Sequence, residues 1–158
     1  MAIKCLVTDF DGVMTDGSVY VDQEGRESVC CSRLDGIAIR ILKQKGVRVL
    51  ILSSESSGVV KARGEKLGVE THAGVQNKEA FLKLLINGHS YSKQDIAYVG
   101  DEVNDIKCFE LVGYSYCPAD AHISVQGIVS KKLRTPGGRG VIREIVNLLY
   151  PDADWPSN

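Results

Sequence analysis

The sequence lacks any apolar run near the roughly 18 residues needed to cross a bilayer. Its start, Met1-Ala2-Ile3-Lys4-Cys5, enters an apolar segment without the basic region or small-residue cleavage site of an export signal. A soluble, cytoplasmic protein with no membrane partner is expected. An excess of either charge is also missing. With 19 basic and 20 acidic side chains the net charge is −1, so no whole-chain field favours nucleic acid, and any phosphate site must be local. The five cysteines (5, 30, 31, 108 and 117) form no C-x-x-C pair, which argues against a zinc site or a disulfide framework and for reduced thiols. Internal repeats and low-complexity tracts are absent.

What is present is an ordinary globular composition, 44% apolar and 25% charged over 158 residues, enough for one domain with a substantial core. A single domain over residues 1–150 is expected, with a short tail, 151–158, beginning at Pro151. Four short runs, valine- and isoleucine-containing at 3–7, 47–52 and 96–99 and tyrosine-rich at 114–117, have the character of strands buried on both faces. Between them, apolar residues recur at helical spacing: Ile37, Ile41 and Leu42; Val59, Val60, Ala62 and Leu67; Ala80, Phe81, Leu84 and Leu85; Ile106, Phe109 and Leu111. A last helix is expected over 141–149. This alternation predicts an α/β fold, a doubly wound, three-layer parallel sheet. Residues 17–32 break the alternation and predict a β-hairpin with its tip at Gln23-Glu24-Gly25, inserted after the first strand. Two strands alone are marginal in water, so a partner subunit is expected to cover them.

Chemistry concentrates at strand ends. Asp9 and Asp11 follow the first strand, where open α/β sheets bind ligands. Two carboxylates so close repel unless a proton or cation intervenes, and Mg²⁺ suits an all-oxygen site that also holds phosphate. D-x-D alone is equally a turn. A second acidic group, Asp101 and Asp105 in Gly100-Asp101-Glu102-Val103-Asn104-Asp105, follows the 96–99 strand and points to the same metal, although Asp101 could simply cap a helix. Ser53, after the 47–52 strand, could hold a phosphate oxygen or cap a helix. Lys78, after a plausible N-cap at Asn77, could offset nucleophile and phosphate or lie in solvent. His72, His89 and His122 match no catalytic position and are expected on the surface or in loops.

Together DFDGVMTD, Ser53, Lys78 and GDEVND, with RLDGIAIRIL and GGRGVIREI, resemble the haloacid dehalogenase superfamily. Within it the chain is similar to the capless branch of sugar-acid phosphate phosphatases, over nearly its whole length. The resemblance implies that Asp9 is the nucleophile, Asp11 the general acid and base, and Ser53 and Lys78 the phosphate-binding pair. It implies a Mg²⁺ held by Asp9, the Asp11 carbonyl and Asp101, with Asp105 in support. It further implies a homotetramer whose hairpins close neighbouring sites. The substrate is expected to be the phosphate monoester of a 2-keto-3-deoxy sugar acid. Glu55, where octulosonate phosphatases carry arginine, together with Arg63 and Lys66, is similar to the nine-carbon branch (ketodeoxynononate or acylneuraminate 9-phosphate). An eight-carbon octulosonate 8-phosphate is the alternative, and Arg63 and Lys66 could equally pair charges along one helix. Arg139 is a candidate for the substrate carboxylate. Two other classes stay open: a non-catalytic oligomerisation domain like that of acylneuraminate cytidylyltransferases, and a receiver-type switch storing phosphate on Asp9.

Overall fold

The buried β-branched runs form the centre of a six-stranded parallel sheet. The structure, a computed structural model, describes residues 3–155. In chain order the elements are β1 (Cys5–Thr8), β2 (Tyr20–Val21), β3 (Glu27–Ser28), α1 (Arg33–Gln44), β4 (Arg48–Leu52), α2 (Gly58–Leu67), β5 (Glu70–His72) and α3 (Lys78–Gly88). They continue with β6 (Ile96–Val99), α4 (Ile106–Phe109), β7 (Tyr114–Cys117), α5 (Ile123–Gln126), β8 (Lys131–Lys132) and α6 (Val141–Leu149). The strand order is β5-β4-β1-β6-β7-β8, with every pairing parallel.

Pleating sends alternate residues to opposite faces. Leu6, Val49, Ile51, Ala97 and Val99 pack on one side with buried residues of α1 and α6. Cys5, Val7, Leu50, Leu52, Ile96 and Tyr98 pack on the other with residues of α3, α4 and α5. The expected doubly wound architecture is therefore present. Burial of Val141, Ile142, Ile145, Val146 and Leu149 fixes α6 on the sheet, each such side chain contributing about 1.5–3 kcal/mol.

Several local expectations shift. The first strand begins at Cys5 rather than Ile3, and β5 and β8 were not expected. These two are edge strands of three and two residues whose polar character carries no buried-strand pattern. The helical segment that carries Ile106 and Phe109 opens as a 3₁₀ turn, Val103–Asp105, before α4. His72 lies half-buried on β5 against the Phe81 ring, whereas His89 and His122 sit at helix ends. Part of the expected tail packs on the core through Ala153 and Trp155, and residues 156–158 lie outside the described residues.

The hairpin forms as predicted, with Tyr20 opposite Ser28 and Val21 opposite Glu27. Asp22 closes its turn by accepting from the Glu24 and Arg26 N–H groups, and Gly25 takes the left-handed conformation (φ 77°). A bridge between Thr15 and Cys31 ties its base to the loop after β1. Beyond the base it stands free, with Val19, Tyr20 and Val21 exposed by 50–69%.

Candidate active site

β1 is the switch point of the sheet: the chain runs outward through β4 and β5, then returns to β6 on the other side. The carboxyl ends of β1 and β6 are therefore neighbours; Asp9 follows β1 directly, and Asp101 follows β6 after Gly100. The Asp9 N–H donates to the Val99 carbonyl, continuing the ladder one step, so the Asp9 side chain is fixed at the rim. Gly12 brings the following loop over Asp101. Its φ is +75°, and a Cβ there would fall 1.9 Å from Asp101 Oδ2, so glycine is required on both counts.

Lys78 enters at the first residue of α3, whose N-cap is Asn77 as expected, with Asn77 Oδ1 accepting from Ala80 N–H. A cation at a helix N-terminus opposes the dipole, and this one is only 2% exposed. Two carboxylates compensate: Lys78 Nζ donates to Asp9 Oδ2 at 2.6 Å and to Asp105 Oδ1 at 2.8 Å. Asp105, fully buried, also accepts the Tyr98 hydroxyl at 2.6 Å and the backbone N–H groups of Asp101 and Glu102 on Oδ2.

Charge is thus crowded into a dry site. Burial, followed by the Asp105 charge, pushes Asp9 up to about 7 although Lys78 pulls it down. Burial and then Asp9 raise Asp101 to about 8. Half-burial and the facing Glu55 and Glu27 carboxylates hold Asp11 above its usual range. Burial would lower Lys78, but Asp9 and Asp105 hold its ammonium above the ordinary value.

The acid set fits a hard divalent cation. Asp9, Asp101 and Asp105 each offer a carboxylate oxygen within 4.8 Å of one another, and Asp101 Oδ1 is buried without a hydrogen-bond partner. Asp105 is saturated by its four donors, which suits support rather than direct ligation.

A cavity of about 290 Å³ opens over these groups and brings together Asp9, Asp11, Ser53, Glu55, Lys78 and Asp101. Ser53 does not cap α2; Ser57 does, and Ser53 Oγ instead accepts from Glu55 N–H at the cavity wall. A second hollow of about 350 Å³ continues from Asp11, Gly17 and Glu55 under the hairpin, between Glu27 and a floor of Val19, Val29, Val59 and Val60.

The other expected substrate residues lie elsewhere in the single chain. Arg63 donates to the Ser32 carbonyl, and with Lys66 it lines a separate groove between α1 and α2 beside Arg33, Arg40 and Lys43. Arg139 is exposed on a loop that packs against the loop after β1. A Cβ on Gly137 would come 2.2 Å from the Gly12 carbonyl oxygen. Two residues escaped sequence reasoning. Asn104 donates to Ser54 Oγ across the cavity mouth, and Tyr98 holds Asp105 from below. The signal for Tyr98 was present: a hydroxyl in a fully buried strand needs a partner.

Comparison with known proteins identifies the family. Residues 34–113 match the haloacid dehalogenase-like hydrolase family. The chain is 32% identical over 148 residues to the 3-deoxy-D-manno-octulosonate 8-phosphate phosphatase KdsC of Haemophilus influenzae, covering 93% of this chain and 82% of that protein. Among solved structures, a HAD family hydrolase from Streptomyces avermitilis superposes with a TM-score of 0.91 at 37% identity, covering 99% of this chain and 94% of the other. The octulosonate phosphatase of Moraxella catarrhalis, solved with magnesium, phosphate and KDO, gives 0.90 at 27% identity, covering 94% and 86%. The chain belongs to the haloacid dehalogenase-like hydrolases and is a phosphoric monoester hydrolase. Within that family it resembles the capless branch that contains the octulosonate phosphatases.

Proposed function

We propose that the chain is a magnesium-dependent phosphatase of a 2-keto-3-deoxy sugar-acid phosphate. The observation that carries this reading is the juxtaposition of Asp9, held by Lys78, with Asp11, whose carboxyl is kept above its usual range at the mouth of a second hollow. An Asp9 carboxylate oxygen attacks phosphorus as the ester P–O bond breaks, and Asp11 gives its proton to the departing alkoxide. Asp11, now a carboxylate, takes a proton from water. The resulting hydroxide displaces Asp9 from the aspartyl phosphate, releasing inorganic phosphate. Lys78 and the Ser53 hydroxyl hold the phosphoryl oxygens. Asp9, Asp101 and the Asp11 carbonyl would hold Mg²⁺, which supplies positive charge to the transferring phosphoryl group. Asp11 favours turnover over a phosphate-storing switch, and the assembled Asp9, Lys78, Asp105 set argues against a domain used only for assembly.

The hollow continuing from Asp11 receives the leaving group, and its lining suits hydroxyls: Glu27 and Glu55 offer carboxylate acceptors, and among the described residues no cation lines it. Glu55 favours the nine-carbon acid. The octulosonate phosphatases among the relatives make the eight-carbon acid the second reading. The substrate carboxylate then calls for basic residues from outside this hollow, and Arg63, Lys66 and Arg139 of a homotetramer are the proposed source. A panel of eight- and nine-carbon sugar-acid phosphates compared by kcat/KM tests this reading. The nine-carbon esters should lead by at least about tenfold, a modest pocket discrimination. Equal rates would remove the role assigned to Glu55.

A further inference from the structure

Beneath the reacting groups lies a hydroxyl that the chemistry above does not use. Tyr98 occupies the middle of β6, fully buried, with its ring edge-on to Phe109 at 5.6 Å between centroids. Ile96 on the same face is purely apolar, and an apolar side chain at 98 would satisfy the sheet equally well. The tyrosine instead places its O–H 2.6 Å from Asp105 Oδ1, the same oxygen that accepts Lys78 Nζ at 2.8 Å. Lys78 in turn holds Asp9 Oδ2 at 2.6 Å. A continuous chain of three short, charge-assisted hydrogen bonds therefore leads from the core of the sheet to the nucleophile.

The sharing at Oδ1 has a directional consequence. An ammonium placed between two buried carboxylates moves toward whichever is the stronger acceptor. Asp105 would be that acceptor if Oδ1 were free for Lys78 alone. The Tyr98 hydroxyl draws on the same oxygen and fixes the carboxylate plane, while Asp101 N–H and Glu102 N–H anchor Oδ2. We infer that Tyr98 is a positioning residue for phosphoryl transfer: by sharing Asp105 Oδ1 it keeps Lys78 on Asp9. It touches neither substrate nor cation, and it acts only through Asp105. This inference rests on the phosphatase reading for its kinetic consequence but not for its geometry.

Tyr98→Phe removes the hydroxyl and keeps the packing on Phe109, so the chain should remain folded. On whichever phosphate monoester the wild type turns over, kcat should fall about 10- to 100-fold, the usual range for losing an outer hydrogen-bond partner, with KM changed less than about threefold. The loss should disappear in an Asp105→Asn background, because the effect travels through Asp105. A crystal structure of Tyr98→Phe should show Lys78 Nζ drawn toward Asp105 and out of hydrogen-bond reach of Asp9. Unchanged kcat, or the same fold-loss in the Asp105→Asn background, would overturn the proposal. If the wild type hydrolyses no phosphate monoester, the functional reading fails by itself. The position of Lys78 in the variant then decides this inference: displacement supports it, and an unmoved lysine ends it.

Discussion

The rim of the sheet and the hairpin beside it satisfy their groups in opposite ways. At the rim, Asp9, Asp105 and Lys78 are buried and paired with one another inside one chain. In the hairpin, Val19, Tyr20 and Val21 stand in solvent and the charged residues pair only within the turn, Arg26 with Asp22 and Glu24. Chemistry needs preorganised dipoles and charges that do not rearrange during the reaction, and a rigid sheet edge supplies them. In the function proposed above, selectivity would depend on the surface that the single chain leaves open at the hairpin. The difference teaches that bond-making and substrate choice in this protein should respond separately to mutation.

The sharpest way to break that comparison is Asp9→Asn. Without the proposed nucleophile, phosphate release should fall by about 10⁴-fold or more, measured as inorganic phosphate from any ester the wild type accepts. Comparable turnover by the variant would remove the rim from the chemistry altogether.

A smaller effect is expected at Asp35, a buried acid in the first turn of α1. Its Oδ1 accepts the Ile142 and Arg143 N–H groups and so caps α6, where Gly140 has no side chain to do it, while Oδ2 is buried without a partner. Burial raises it to about 6 against the pull of those two N–H groups. The folded state thus holds this proton more tightly than the unfolded chain. Its contribution to stability is present in full below roughly pH 4 and is lost as pH rises through about 6, for a total of about 3 kcal/mol. Asp35→Asn keeps the acceptor and removes the titration. Urea unfolding between about pH 4 and pH 7 should therefore show a flatter profile for the variant. Parallel profiles would show that Asp35 is not the titrating group.

The smallest effect on the chain itself should come from the hairpin. Val21→Asp alters an exposed position and should leave unfolding free energy within about 0.5 kcal/mol of wild type, yet dissociate the proposed homotetramer in sedimentation. An assembly unaffected by the change would move the subunit contact away from the hairpin.

How far the sequence foretold this molecule depends on what holds each part. The four central strands were legible because burial on both faces leaves short runs that are mainly apolar or aromatic, and α6 because its apolar spacing ends at a proline. Residues 9, 11, 53 and 101 were placed together because strand ends in a parallel sheet converge, a rule of topology rather than of side chains, whereas Lys78, at the start of a helix, joined them only through the family resemblance. β8 is two lysines paired to β7 and carries no pattern of its own. The separation of Arg63 and Lys66 from Glu55 was hidden too. Helical spacing gives the face two residues share, while the roll of α2 on its neighbours decides where that face points. The Tyr98 link required distances that no spacing encodes.

The order of strands also bears on how the protein is made. β1 leaves the ribosome first, but it lies in the middle of the finished sheet, with Cys5 paired to Arg48 on one side and to Ile96 on the other. Its own neighbours in sequence give it no sheet partner. Asp9, which follows it, must wait for Lys78, and Lys78 for Asp105, before these charges are met. Such late, long-range closure is slow and leaves an apolar strand uncovered during synthesis. A nascent chain released before β6 has emerged would hold β1 paired to β4 alone, with its other edge open, making such truncation products the forms of this protein most exposed to aggregation and proteolysis.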